Sequence, residues 1–195
     1  MKRLLLLLPL ILLTTAVIAP VGDIYTVTVD LHKGWNLVAG LLDLSQQVGG
    51  TFDVTDAGSL WVFHHQNQQW AQVYPTFNTT QIGNLQPADV IHKTGFLYVT
   101  QDSTLEYEVP IANNIQNLNV GKGWEVIGAH TFYDGKVAPQ PSLAACTNLH
   151  AWSWDASTQA WIDLSTLWPQ FTKVITITDA SVGLLLHSDG CSFIV

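Results

Sequence analysis

The chain contains the same series of motifs twice, and this repetition limits the folds open to it more than any other feature. The segment LHKGWNLVAG at 31–40 reappears as VGKGWEVIGA at 120–129, an offset of 89 residues. A closing apolar segment, GFLYVTQDS at 95–103, is matched by GLLLHSDGC at 183–191, an offset of 88. Ordered matches at a nearly constant offset indicate an internal duplication.

A pair of tryptophans supports the same alignment. Trp61 and Trp70 are nine residues apart in the first half, and Trp152 and Trp161 have the same spacing in the second. Polar residues lie between the two tryptophans of each pair, at 65–68 and 155–158, and are typical of hairpin turns. Each half is therefore expected to contain a Gly-Trp strand, a hairpin bracketed by tryptophans, and a closing strand.

The pattern of apolar residues predicts an all-β fold. Apolar and polar residues alternate at 25–30 and 105–109, which is typical of half-buried strands. No 11-residue stretch has a convincing helical period, although 41–48 is compatible with a short helix. We expect two tandem homologous β modules, residues 20–112 and 113–195, packed as a sandwich or barrel-like pair with a pseudo-twofold relation. No Gly/Ser-rich linker separates them, so they should pack together.

The N-terminus predicts export. Met1-Lys2-Arg3 is followed by an apolar run and then by small residues, the pattern of a secretory signal peptide over residues 1–19. Cleavage is expected after Ala16 or Ala19, and an uncleaved membrane anchor is the alternative. The sequence thus favours a secreted or cell-surface protein.

Charge excludes some partners. The whole chain has a formal net charge of −8, and removal of the two N-terminal cations leaves five lysines, no arginine and fifteen acids. Binding to nucleic acid, or of the mature form to a membrane surface, is therefore not expected. Protein or glycan surfaces remain as partners, and the oligomeric state is left open.

The two cysteines, Cys146 and Cys191, are expected to pair in an oxidising compartment. Such a bridge would close a loop of about 45 residues and contribute about 3–4 kcal/mol. A catalytic or metal-binding role would need a nearby base or tighter Cys and His spacing. The prediction is a structural disulfide within the second module.

The order Gly-Trp-Asn-Leu, then Leu-Trp-Val-Phe, then Gly-Phe-Leu-Tyr-Val resembles the GWN-type aromatic β-repeat module found in tandem in secreted and cell-surface proteins of bacteria and archaea. Glu125, Leu97 and Leu185 depart from residues usual in that module. The resemblance implies export and a β architecture, and it implies no catalytic residues.

Histidines and serines give no catalytic or metal motif. His64 and His65 are adjacent on a strand and point to opposite faces, and the other histidines lack HxH or HExxH spacing. His187-Ser188-Asp189-Gly190 is interpreted as a turn rather than a relay. We expect no metal and no cofactor.

Carboxylates give no stronger signal. Carboxylate pairs for glycoside hydrolysis could come from Asp102, Glu106, Glu108 or Asp163. Such pairs can be proposed in almost any acidic protein, so they are weak evidence for this activity. The run at 53–56 is a faint version of a calcium loop. No catalytic residue is predicted.

The strand tryptophans are interpreted mainly as core. Trp152 and Trp154 share one strand face, as do Trp61 and Phe63, and repetition at fixed spacing favours packing over recognition. The Gly-Trp tryptophans, Trp35 and Trp124, are expected to be interior anchors.

Aromatic residues near hairpin ends and loops are the better binding candidates. They are Trp70, Tyr74, Trp161 and Trp168. Asn78 begins a glycosylation sequon, and the apolar end at 192–195 is expected to be a closing strand rather than a free edge.

The leading hypothesis is a non-enzymatic exported protein that acts by surface contact, as an envelope, matrix or adhesion component. A carbohydrate-binding module is the first alternative. A small extracellular hydrolase is the second.

Overall fold

The computed structural model describes residues 24–41, 44–64, 68–76, 94–110, 117–128, 150–164 and 183–194. This part of the chain is all-β, as predicted, with two short 3₁₀ turns at Leu44–Gln46 and Val54–Asp56. The strands are β1 Ile24–Leu31, β2 Gly34–Ala39, β3 Gln47–Gly50, β4 Ala57–His64, β5 Gln69–Tyr74, β6 Thr94–Val99, β7 Ser103–Pro110, β8 Asn117–Gly128, β9 His150–Asp155, β10 Ala160–Asp163 and β11 Gly183–Ile194.

The short helix compatible with 41–48 is not formed. A single 3₁₀ turn leads directly into β3, and residues 42 and 43 lie outside the described part. β3 pairs with β7, with Gln47 opposite Tyr107, so its backbone groups are bonded to a neighbouring strand instead of along a helix.

The strands form three antiparallel sheets. The first sheet has the order β1-β7-β3, the central sheet β2-β6-β4-β5, and the third sheet β8-β11-β9-β10. In both the central and the third sheet the Gly-Trp strand lies at one edge, beside the closing strand, followed by the two strands of the hairpin. The two larger sheets therefore have the same strand order.

Strand pairing aligns the two closing strands differently, by one residue, from the match between their glycines in the sequence. Leu37 lies opposite Phe96 in the central sheet, and Val126 lies opposite Leu185 in the third. Phe96 and Leu185 thus hold equivalent positions at an offset of 89, whereas aligning the glycines at 95 and 183 gives 88. Equivalent positions in the two closing strands are therefore defined by pairing with the Gly-Trp strand and not by the glycines.

The main core lies between the first and the central sheet. Alternation along each strand places one set of side chains on this inner face, and all of them are buried. They include Val27, Leu31, Val38, Leu60, Val62, Ala71, Val73, Leu97, Val99, Leu105 and Tyr107. These two sheets form a sandwich that positions the opposite face of the central sheet.

That opposite face packs against the third sheet. Leu37 and Phe63 of the central sheet are buried with Val126 of the third, and half-buried aromatic side chains surround them. Trp61 and Phe63 alternate with Leu60 and Val62, so they point away from the sandwich core. Phe63 is thus a core residue, as expected, but of this second contact between sheets, whereas Trp61 is only half-buried. The twofold relation between the modules stays a prediction.

The third sheet corrects one prediction and confirms another. His187-Ser188-Asp189-Gly190 is not a turn, because β11 continues through it, with Asp189 opposite Lys122. A positive φ at Gly190 (+96°) is accommodated within the strand. Residues 192–194 pair with β8, as the closing-strand prediction requires for that part of the terminus.

Several predictions concern residues outside the described part. These are the signal peptide at 1–19, the sequon at Asn78 and the candidate Trp168. Cys146 also lies outside it, so its bridge to Cys191, which is on β11, stays a prediction. β7 ends at Pro110 and β8 begins at Asn117, on either side of the predicted module boundary. Among the described residues no helix is long and apolar enough to cross a membrane.

One buried tyrosine links the two sheets of the sandwich. Tyr107 is fully buried, and its hydroxyl donates to the carbonyl oxygen of Ala39 on β2 at 2.5 Å. Burial raises the pKa of Tyr107 above its usual value of 10. A folded-state pKa above the unfolded one means that this stabilisation is complete below about pH 10 and is lost as the pH rises further.

We therefore expect Tyr107→Phe to lower the free energy of unfolding by about 1–2 kcal/mol at pH 7, because the Ala39 carbonyl loses its donor. Urea unfolding at pH 7 and pH 11 measures this, and the variant should lose less stability than the natural protein between the two. The matched control is Tyr74→Phe, whose hydroxyl makes only an exposed 3.4 Å contact with Val54. Equal alkaline losses in the natural protein and Tyr107→Phe would contradict this account.

Candidate ligand-binding cleft

A cleft with aromatic walls lies between the central and the third sheet. Its volume is about 680 Å³, within the range of about 300–1,000 Å³ typical of ligand sites. Both sheets contribute to its lining, which consists of Trp35, Trp61, Phe63, Gln68, Trp70, Phe96, Trp124, Trp154, Trp161 and Leu185. None of these ten residues is charged.

Phe96 on β6 is the centre of the aromatic cluster. Its ring centroid lies 5.4–6.1 Å from those of four tryptophans, two on its own sheet and two on the third: Trp35, Trp70, Trp154 and Trp161. Most of these contacts are edge-to-face, a favoured geometry worth about 0.5–1.5 kcal/mol per pair beyond burial. The rings hold one another in place and line the cleft at the same time.

The two walls of the cleft differ at the position that Phe96 holds in the central sheet. Leu185 occupies on β11 the position that Phe96 occupies on β6, and it lines the cleft. A leucine side chain is smaller than a phenylalanine ring and cannot make edge-to-face contacts. More open space beside Leu185 is the expected consequence of this difference.

Reciprocal glutamine contacts join the two sheets. The Gln159 side chain accepts from the Trp35 backbone N–H at 2.8 Å and donates to the Trp35 carbonyl at 2.9 Å. Gln68 makes the same two bonds to the backbone of Trp124, at 2.7 and 2.8 Å. Each hairpin turn thus binds the Gly-Trp strand of the other module, and we call these two contacts the glutamine clamps.

Glycine makes this close approach possible. Gly34 and Gly123 precede the clamped tryptophans and have positive φ angles, +110° and +105°. A Cβ atom on Gly34 would lie 2.6 Å from Oε1 of Gln159, and one on Gly123 would lie 2.7 Å from Oε1 of Gln68. The glycine of each Gly-Trp motif is therefore required both for its conformation and for the clamp.

The turn between β9 and β10, which the Asp155 side chain caps, orients Gln159. The Asp155 carboxylate accepts from the hydroxyls of Ser157 and Thr158, both at 2.7 Å, and from their backbone N–H groups. These bonds lower the pKa of Asp155 to about 2. They order the turn in which Gln159 adopts a positive φ of +53°, a conformation matched by Gln68 at +52°.

Two of the four predicted binding residues line the cleft. Trp70 is half-buried there, and Trp161 is 42% exposed. Tyr74 does not line it, because its ring packs against the sandwich core. The fourth candidate, Trp168, lies outside the described residues.

The prediction that Trp35 and Trp124 are interior anchors is wrong. They are 36% and 43% exposed, and both line the cleft. Their strands are at sheet edges, and the main core lies on the other face of the central sheet, so neither ring is enclosed. The clamps anchor the backbone of each tryptophan and leave its side chain accessible.

Trp152 and Trp154 are half-buried rather than fully enclosed. Trp154 lines the cleft and donates its indole N–H to the Trp35 carbonyl at 2.8 Å. Trp152 contacts Trp124, with ring centroids 5.7 Å apart. Trp154 therefore takes part in the contact between the sheets, whereas Trp152 packs beside Trp124 within the third sheet.

Sequence reasoning missed the two glutamines. Both stand two residues before the second tryptophan of their hairpin, in Gln68-Gln69-Trp70 and Gln159-Ala160-Trp161. Alignment on the tryptophans places one glutamine on the other. The same polar residue at the same place in two otherwise different turns was the signal that could have identified these glutamines.

The candidate catalytic groups are dispersed. Glu106 and Glu108 are on β7 in the first sheet, Asp163 is on β10 in the third, and Asp102 accepts from the Lys33 backbone N–H at 2.6 Å. On β11, Ser188 is buried and its hydroxyl accepts from the backbone N–H of Gly190.

The faint calcium run is an ordinary helix cap. Asp53 accepts from Thr55 and caps the turn at Val54–Asp56. Among the residues described, no group of three His, Cys, Asp or Glu side chains is placed to hold a metal ion.

No protein-family model matches the chain, and neither a curated protein nor a solved structure matches it. The likeness to the GWN-type module therefore rests on the motifs in the sequence and stays a prediction.

Removing either clamp should loosen the contact between the sheets. We expect Gln159→Ala and Gln68→Ala each to lower the free energy of unfolding by about 1–2 kcal/mol, because each deletes the two hydrogen bonds to the backbone of the clamped tryptophan. Urea unfolding followed by tryptophan fluorescence measures the effect. Gln69→Ala, an exposed neighbour, is the control and should change the value by less than about 0.5 kcal/mol. Equal effects of Gln69→Ala and Gln68→Ala would contradict the clamp.

The capped turn should make stability sensitive to acid. A lowered pKa means that the contribution of Asp155 is present above about pH 4 and is lost as the pH falls towards 2. We expect Asp155→Asn to lower the melting temperature at pH 7 and to reduce its further fall between pH 4 and pH 2. Asp30→Asn, an exposed carboxyl on β1, should leave this profile unchanged. An unaltered acid profile in Asp155→Asn would refute the assignment.

Proposed function

We propose that the protein is a non-enzymatic, exported binding protein of the surface, matrix or adhesion type, and that it holds its partner in the aromatic cleft. The observation that carries this proposal is a ligand-sized cleft between two β-sheets, lined by eight aromatic side chains, one glutamine and one leucine. Aromatic rings at an accessible surface supply large contact area at low conformational cost.

The chemistry of the lining supports binding rather than catalysis. The ten residues provide ring faces, indole N–H groups, one amide and one aliphatic side chain. General acid–base or nucleophilic catalysis needs a titratable or nucleophilic group at the reacting atoms. The basic and apolar N-terminus supports action outside the cell.

Rigidity also supports a binding role. The glutamine clamps and the edge-to-face contacts around Phe96 hold the walls from both sheets in one arrangement. A preorganised site loses little conformational entropy when it binds its partner.

Carbohydrate binding is the second candidate function. Trp161 and Trp35 are exposed at the cleft, and exposed indole rings stack on the apolar faces of sugars. The two candidates differ in the partner, and they share the site.

Arrays of immobilised glycans and of synthetic peptides test the proposal directly. We expect the purified mature protein to bind members of one array, and we expect Leu185→Phe to weaken this binding at least about tenfold. The substitution places in the third sheet the side chain that Phe96 presents in the central sheet, so it should fill space in the cleft with little effect on folding.

Ile162→Ala is the matched control. Ile162 is as exposed as its neighbour Trp161 but points to the opposite face of β10. Circular dichroism and urea unfolding check that each variant is folded. Array binding that is unchanged in Leu185→Phe and in Trp161→Ala would refute the cleft as the binding site.

A further inference from the structure

The hydrogen-bonding groups of the cleft are unevenly distributed between donors and acceptors. Within the described part of the chain, the indole N–H groups of Trp61, Trp70 and Trp161 donate to no protein acceptor. An indole N–H is a donor only. The walls therefore combine apolar rings with three tryptophans whose indole donors no described protein group uses.

The strong side-chain acceptor in the lining already accepts one hydrogen bond from the protein. Gln68 is the one lining residue, among those described, whose side chain contains a strong acceptor. Its Oε1 accepts from the Trp124 backbone N–H at 2.7 Å, and its amide nitrogen donates to the Trp124 carbonyl at 2.8 Å. The clamp thus reduces the capacity of the cleft to accept hydrogen bonds.

A ligand rich in its own donors fits this lining poorly. Each sugar hydroxyl that enters the cleft brings a donor, and a buried donor without an acceptor costs about 1–3 kcal/mol. A proline-rich segment has the opposite character. Proline lacks an N–H, and in the polyproline II conformation the carbonyls make no internal hydrogen bonds and remain free to accept.

Shape and charge agree with such a segment. Proline rings pack on aromatic side chains, and aromatic-lined grooves are a recurring mode of polyproline recognition. No lining residue is charged, while the whole chain has a net charge of −8, so basic residues flanking the segment are attracted without having to enter the cleft.

We infer that the cleft binds a proline-rich, extended polypeptide segment of a partner protein, with proline rings against the tryptophans and peptide carbonyls accepting from the free indole N–H groups. This inference rests on the proposed function and names the class of its partner. The glutamine clamp contributes to selectivity, because it uses one of the two lone pairs of Gln68 Oε1 and so leaves less acceptor capacity for sugar hydroxyls.

Titration with defined peptides tests the inference. The probes are a decaproline flanked by two lysines at each end and a peptide of the same length and charge in which alternating alanine and serine replace the prolines. Intrinsic tryptophan fluorescence and isothermal titration calorimetry measure binding. We expect the proline peptide to bind at least about tenfold more tightly, and its affinity to fall as the salt concentration rises.

Two variants connect the binding to the cleft. Leu185→Phe should weaken proline-peptide binding by filling space, and Trp161→Phe should weaken it about threefold to tenfold because the ring remains but its donor is lost. Trp161 is exposed, so Trp161→Phe keeps the test available if Leu185→Phe does not fold. Ile162→Ala should bind as the natural protein does.

Outcomes for the inference and for the proposed function are distinguishable. Cellohexaose and chitohexaose serve as glycan probes in the same titrations. Binding of either glycan that is lost in Leu185→Phe, with no preference for the proline peptide, overturns the inference and leaves the proposed function standing. Equal binding of the two peptides also overturns it. Binding that is insensitive to both cleft variants overturns the two together.

Discussion

The arrangement of the central and third sheets depends on two glutamine side chains that each bind the backbone of a tryptophan in the other sheet. Four hydrogen bonds, from 2.7 to 2.9 Å, replace the pairing that the edge strands β2 and β8 would otherwise make with water or another chain at these points. Because the bonds go to the main chain, the indole rings of Trp35 and Trp124 remain available at the surface. The contact that holds the sheets together is thus also the one that exposes the cleft.

One face of the central sheet both packs against the third sheet and lines the cleft. The central sheet buries aliphatic side chains on one face and presents aromatic ones on the other, since alternation along a strand separates the two sets. The aromatic face is partly covered by the third sheet and partly open. Ring contacts tolerate this partial exposure, because Trp35, Trp70 and Trp161 each keep two ring neighbours even where water reaches them.

The sequence predicted the fold class, the hairpins and two of the cleft residues, because these follow from local alternation and from spacing. It did not predict which face of β4 would meet the sandwich core, since Trp61 and Phe63 are as apolar as Leu60 and Val62. It also assigned Trp35 and Trp124 to the interior. Their exposure depends on contacts 124 and 56 residues away along the chain, which no local pattern contains.

A comparison of Phe96 and Leu185 distinguishes residues that join the two sheets from residues that only line the cleft. Neither side chain takes part in the clamps, yet both line the cleft at equivalent positions. The clamping glutamines and glycines are therefore tied to each other across the two sheets, and Phe96 is tied to its four tryptophan neighbours, while position 185 is freer to diverge. A change of side-chain volume at this one position can alter the shape of the cleft without disturbing the contacts between the sheets, which makes the cleft an evolvable part of an otherwise restrained scaffold.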